Sequence, residues 1–124
     1  MAHSPTILIV DDQADIRKML VEILSLEGYS TELATNGREA MDRLAVSGPR
    51  VVLLDLLMPV LDGWGVMREL EASPLERAKH KIILVSAWST LEKAQDLNAD
   101  GMLVKPFQVE QLLAALEPIM AEVS

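Results

Sequence analysis

Val51-Val52-Leu53-Leu54-Asp55 sets four aliphatic residues directly against an acid. An apolar run that does not alternate with polar residues predicts a strand covered on both faces, as in a parallel sheet. Two further runs of this kind flank it in sequence, Thr6-Ile7-Leu8-Ile9-Val10 and Lys81-Ile82-Ile83-Leu84-Val85. Ser30-Thr31-Glu32-Leu33-Ala34 and Gly101-Met102-Leu103-Val104 are weaker and predict outer strands.

The segments between these runs change period. Ile16, Met19, Leu20, Ile23 and Leu24 step along one face of an amphipathic helix. Gly28 follows as a C-terminal stop, free to take positive φ. Ala40, Met41, Leu44 and Ala45 predict a second helix opened by Asn36-Gly37, and a third runs from about Trp64 through Leu70, with Pro74 beyond its end. A weak fourth covers Leu91, Ala94 and Leu97, and the fifth carries Val109, Leu112, Leu113, Leu116, Ile119 and Met120. Pro118 lies inside that last stripe and, lacking an N–H, predicts a kink rather than a stop. Strands and helices in strict alternation predict an open α/β sheet with right-handed crossovers.

At 124 residues the chain has the length of one domain. Its net charge of −8 repels phosphate backbones, which argues against direct binding to DNA or RNA. No apolar block is long enough to span a bilayer, and Met1-Ala2-His3-Ser4-Pro5 lacks the basic and apolar regions of a secretory leader. The absence of cysteine excludes thiol chemistry and fits a cytoplasmic protein. His3 and His80, in polar surroundings, are expected to be solvent-exposed bystanders, and the seven methionines core filler.

In open α/β sheets ligands bind outside the carboxyl ends of the strands. The first strand ends in Asp11-Asp12, the third in Asp55, the fourth in Ser86-Ala87 and the fifth in Lys105-Pro106. Carboxylates this close raise one another's pKa unless a cation intervenes. Mg²⁺ suits such a group, since it takes one or two carboxylates with waters and a phosphate oxygen. A lysine at the same point completes a clamp for a transferred phosphoryl group, and one carboxylate is then free to act as nucleophile. Taken singly, Asp11 and Asp12 also suit the cap of the first helix.

Asp11-Asp12, Asp55 with Met58-Pro59 and Asp62-Gly63, Ser86-Ala87 and Lys105-Pro106-Phe107 together resemble the receiver domain of bacterial two-component response regulators. The resemblance covers nearly the whole chain. It implies a flavodoxin-like strand order 2-1-3-4-5, with residues 6–124 as the receiver domain behind an N-terminal tail of residues 1–5. It further implies that Asp55 accepts a phosphoryl group from a histidine kinase or a histidine phosphotransfer protein. Asp12 would ligate Mg²⁺ directly, Asp11 mainly through water, and Asp55 and the backbone carbonyl of Leu57 would complete the metal's protein ligands. Lys105 would meet the phosphate, with a cis bond to Pro106, and Ser86 would swing in to meet it too. A downstream protein would read the face made by the fourth predicted helix, the fifth strand and the fifth helix. Such a chain acts as a switch rather than an enzyme on other substrates, as a monomer or weak dimer.

Three positions depart from the family's pattern. Met102 stands where many receivers carry Tyr or Phe, so Trp88 is expected to take part of the aromatic's role. Leu57 and Trp88 flank the path of hydrolytic water in the family, and their size predicts slow self-dephosphorylation. The expected form is a stand-alone receiver. The alternatives are a fragment of a longer regulator or hybrid kinase, and a degenerate receiver that signals without phosphate. An aspartyl phosphatase would want a second Asp where Leu57 stands. A nucleotide or flavin site would want a glycine-rich loop where Asp11-Asp12-Gln13 stands.

Overall fold

The aliphatic runs form five parallel strands, in the order β2-β1-β3-β4-β5. A computed structural model describes residues 5–46 and 48–123. The strands are β1 (Thr6–Val10), β2 (Thr31–Ala34), β3 (Arg50–Asp55), β4 (Lys81–Ala87) and β5 (Gly101–Lys105). The helices are α1 (Ala14–Leu26), α2 (Gly37–Leu44), α3 (Gly63–Glu71), α4 (Pro74–Ala78), α5 (Trp88–Glu92) and α6 (Val109–Val123).

Successive strand residues point to opposite faces, and both faces are covered, which is why the runs do not alternate. Leu8, Val10, Val52, Leu54, Ile82 and Leu84 pack with α2, α3 and α5 through Leu44, Met67, Leu70 and Leu91. Ile7, Ile9, Val51, Leu53, Ile83 and Val85 pack on the other face with α1 and α6 through Leu20, Leu24, Leu112 and Leu116. The register sets Val10 beside Leu54, Asp55 beside Val85, and Ala87 beside Lys105. The carboxyl ends therefore finish almost level. Strand order reverses at β1, which pairs with β2 on one side and β3 on the other.

Gly28 ends α1 as its sequence predicts. Its φ is +85°, and the Gly28 and Tyr29 N–H groups donate back to the Ser25 and Leu24 carbonyls. This closes the open end of the helix with a left-handed residue that glycine adopts without a Cβ clash. Asn36 caps α2, its side chain accepting from the Glu39 N–H at 2.9 Å.

Several expectations are corrected. Pro74 opens a further helix, α4, at the first-turn position where its fixed φ and missing N–H cost nothing. The fourth predicted helix is shorter than its stripe: α5 ends at Glu92, and Leu97 lies in the turns that follow. Asp100 explains where the chain re-enters the sheet. Its N–H donates to the Ile82 carbonyl and its carboxylate accepts the Ile82 N–H, both at 2.8 Å. Pro118 does not stop the last helix, as its sequence predicts: α6 continues through it to Val123.

His80 is not a bystander but is buried, with its Nδ1 accepting the Arg50 N–H at 3.1 Å. Burial pushes its pKa below the ordinary value, against the opposing pull of Glu76. His3 lies outside the described residues. Met67 and Met120 fill the core, whereas Met19 and Met102 lie largely at the surface.

Candidate functional site

Asp11, Asp12 and Asp55 present carboxylate oxygens that all lie within 4.8 Å of one another. They converge because β1 and β3 are neighbours at the point where strand order reverses, and each acid follows or ends its strand. Lys105, the last residue of β5, reaches over β4 to bridge two of them. Its Nζ donates to Asp11 Oδ2 at 2.7 Å and to Asp55 Oδ2 at 3.1 Å. One ammonium against three carboxylates leaves the cluster anionic.

The two aspartates of the pair differ. Asp11 is buried and both its oxygens are engaged, Oδ1 by the Gln13 N–H at 2.9 Å and Oδ2 by Lys105. Asp12 is exposed. Only Asp12 therefore offers a carboxylate to a ligand without giving up a partner among the described residues.

Asp55 is buried at the end of β3. Its Oδ1 accepts the Leu57 N–H at 3.2 Å and the Ser86 hydroxyl at 3.3 Å. Burial pushes the Asp55 carboxyl above its ordinary pKa, with the Lys105 bond and charge pulling it back and the Asp11 charge adding to the rise. Burial pulls the Lys105 ammonium down, but its bonds to Asp11 and Asp55 outweigh that and hold it above its usual range. The lysine is therefore a fixed cation at neutral pH.

Ser86 is buried, and its hydroxyl donates to Asp55 Oδ1. The Lys105–Pro106 bond is cis. The Leu57 side chain points away from the core and is 58% exposed, as is Trp88 at the start of α5.

The loop after Asp55 is held by its own chemistry. Leu61 N–H donates to the Pro59 carbonyl at 2.8 Å, closing a three-residue turn around Val60 at φ +72°. A β-branched residue rarely adopts this conformation. Asp62 caps α3, its Oδ1 accepting the Gly65 N–H at 2.8 Å, and Gly63 N–H donates to the Leu56 carbonyl at 2.9 Å. A Cβ at Gly63 would lie 2.7 Å from Leu56 Cα and 2.8 Å from the Asp55 carbonyl oxygen. The Asp62-Gly63 pair thus seats α3 against the end of β3.

Sequence reasoning missed Gln13 and Arg17. Gln13 acts through its backbone, which no residue type announces. Arg17, one turn into α1, donates from Nη1 to the Asp11 carbonyl at 2.8 Å.

The sequence profile of the response regulator receiver domain matches residues 7–117. The chain belongs to this family. Receiver domains are signalling proteins rather than conventional enzymes, and phosphorylation is the family's general switch. This receiver is 40% identical over 116 residues to the response regulator MprA of Mycolicibacterium vanbaalenii, covering 92% of this chain and 49% of that protein. The chain thus spans about half the length of the MprA relatives it matches. It is similar to the receiver domain of a Syntrophus aciditrophicus signal transduction histidine kinase, with a TM-score of 0.87 and 30% identity over 98% of this chain and 93% of that one. It is also similar to the receiver domain of a Pseudomonas aeruginosa sensor histidine kinase, described with a magnesium ion in its active-site cleft. There the TM-score is 0.82 and the identity 25%, over 96% of this chain and 99% of that one. No helix among the described residues is long and apolar enough to cross a membrane.

Proposed function

We propose that Asp55 accepts a phosphoryl group from a phosphohistidine on a partner kinase or histidine phosphotransfer protein, in a Mg²⁺-dependent step. The observation that carries this reading is the Lys105 ammonium bridging Asp11 and Asp55 within the three-carboxylate cluster. Cation and acids so arranged suit the bringing together of a buried nucleophile and an anionic phosphoryl group.

The donor set fits Mg²⁺, since it is all carboxylate oxygen and anionic after Lys105 is counted. Asp12 and Asp55 would hold the ion directly, together with the Leu57 carbonyl, and Asp11 would act mainly through water. When bound, the ion neutralises charge on the phosphoryl oxygens and the acids.

An Asp55 carboxylate oxygen attacks phosphorus, the N–P bond breaks, and its electron pair returns to the partner's imidazole. An acyl phosphate remains on Asp55. Lys105 and Ser86, already hydrogen-bonded to Asp55, donate to the new phosphoryl oxygens without a large approach. The apolar surface of Ile16, Met19, Pro106 and Phe107 adjoins Lys105 and suits a partner helix that carries the histidine. On the other side, Met102 and Val104 of β5 lie 41% and 39% exposed beside α5, and this α5–β5–α6 face suits a downstream protein.

Acetyl phosphate with and without Mg²⁺, applied to wild type and Asp55→Ala, tests the assignment by intact mass. The expected result is one added phosphoryl group in wild type with Mg²⁺ and none in Asp55→Ala or with chelator. Labelling that persists in Asp55→Ala would overturn it.

A further inference from the structure

We propose that Arg17 is a positioning residue for the Asp12 carboxylate, and so for Mg²⁺ affinity, a role that rests on the metal reading of this site. Asp12 is the exposed member of the acid cluster, and its carboxylate makes no hydrogen bond among the described residues. Its own contacts therefore do not fix it. The peptide before it does.

The Asp11 carbonyl belongs to the same planar unit as the Asp12 nitrogen and Cα. Holding that oxygen fixes the direction in which Asp12 leaves β1. Arg17 Nη1 holds it at 2.8 Å, a charge-assisted bond. The rest of Asp11 is held independently: its N–H donates to the Ala34 carbonyl at 3.2 Å, its Oδ1 accepts Gln13 N–H, and its Oδ2 accepts Lys105. Asp11 is thus an anchored residue with one remaining peptide orientation to set, and Arg17 sets it.

The reach is what a helix provides. Arg17 N–H donates to the Gln13 carbonyl at 3.1 Å, within the first turn of α1, and helical side chains lean toward the N-terminus. Arg17 also stands near Glu39 at the start of α2. The Glu39 carboxyl lies below its ordinary pKa, first because it accepts the Thr35 N–H, with the Arg17 charge a lesser cause. The guanidinium is not a floating surface charge, since its Nη1 is bound to the Asp11 carbonyl.

Groups that orient metal ligands typically change affinity by about 10–100-fold when removed. Calorimetric titration of the unphosphorylated protein with Mg²⁺ tests the role in wild type, Arg17→Ala, Arg17→Lys and Asp12→Asn. Expected is a loss of about tenfold in Arg17→Ala, with Arg17→Lys recovering to within about threefold of wild type because it keeps a cationic donor. A purely structural role would move the melting temperature in chelator without this ordering of affinities. Should Arg17→Ala fail to fold, Arg17→Gln is judged by the same tenfold criterion. Binding that Asp12→Asn abolishes but Arg17→Ala leaves within about twofold overturns the Arg17 role alone. No Mg²⁺ binding by wild type overturns both the role and the metal reading beneath it.

Discussion

Replacing Asp12 with Asn should stabilise the protein in chelator and destabilise it in Mg²⁺. The side chains are nearly isosteric, so the change is one of charge. Carboxylate oxygens of Asp11, Asp12 and Asp55 lie within 4.8 Å of one another. At that separation two like charges repel by about 0.9 kcal/mol in bulk water and about 3.5 kcal/mol at an effective dielectric of about 20. Asp12 is exposed, so the water limit applies. Two such repulsions, offset by attraction to Lys105 of similar size, leave a net gain of about 1 kcal/mol on removing the charge. For a domain of this size that raises the melting temperature by about 4 °C. Saturation with Mg²⁺ reverses the order. Wild type gains about 2.7 kcal/mol at a hundredfold excess over Kd, while a variant that has lost its direct ligand gains little. Urea titrations of both proteins in EDTA and in MgCl₂ read the inversion directly. A variant less stable than wild type in EDTA would refute the electrostatic reasoning. Equal Mg²⁺ stabilisation of both proteins would refute the assignment of Asp12 as a ligand.

Gly63→Ala should cost about 1–3 kcal/mol, because its Cβ meets backbone atoms that cannot swing aside. Gly28→Ala, where nothing lies within 4 Å, should cost only about 1 kcal/mol from its positive φ. Urea midpoints separate the two, and equal losses would remove the case for steric seating of α3. The lowered pKa of His80 means that the unfolded chain takes up its proton first. Its contribution to stability is complete above the unfolded value of about 6.5 and falls as pH drops below that, by at most about 1.4 kcal/mol per unit, until the folded pKa is reached. His80→Gln should lack this component, seen as a shallower loss of stability between pH 7 and pH 5. Opening the rim of the site with Leu57→Asn and Trp88→Glu should shorten the acyl-phosphate half-life by about tenfold or more, a change of about 1.4 kcal/mol in barrier. An unchanged half-life in the double variant would count against the exclusion of water by these two exposed side chains.

The inner strands were legible because each is an unbroken aliphatic run, and a run buried on both faces has few other structures open to it. The candidate site was legible for the same reason: an acid, a hydroxyl or an amine standing where each run stops is a positional signal as well as a chemical one. Helix α4 was not, since its short span offers no period and its opening Pro74 carries the same letter as a helix stop. His80 escaped because Lys79 and Lys81 on either side of it are only partly covered or exposed, while its imidazole alone turns inward under Arg50. Arg17 escaped because its partner is a backbone carbonyl, and a main-chain acceptor leaves no trace in residue type.

Ser86 donates to Asp55 at 3.3 Å from the end of β4, next to the strand that carries Lys105. Met102, at the surface of β5, is no bulky ring to be drawn inward. Yet Ser86 and Lys105, the two groups that meet the phosphoryl oxygens in the proposed mechanism, lie on adjacent strands, with Ser86 beside Val104 and Ala87 beside Lys105. To serve a phosphate, Lys105 would have to loosen its 2.7 Å contact with Asp11, and β5 would carry that adjustment toward the half-exposed Val104. On β4 the first side chain beyond Ala87 is Trp88, exposed at the start of a helix only five residues long. A short helix with few buried anchors is displaced at lower cost than a long one. If Asp55 is the phosphorylated residue as proposed, the read-out would fall on α5 and the edge of β5 moving together, with the tryptophan as the largest group on that surface.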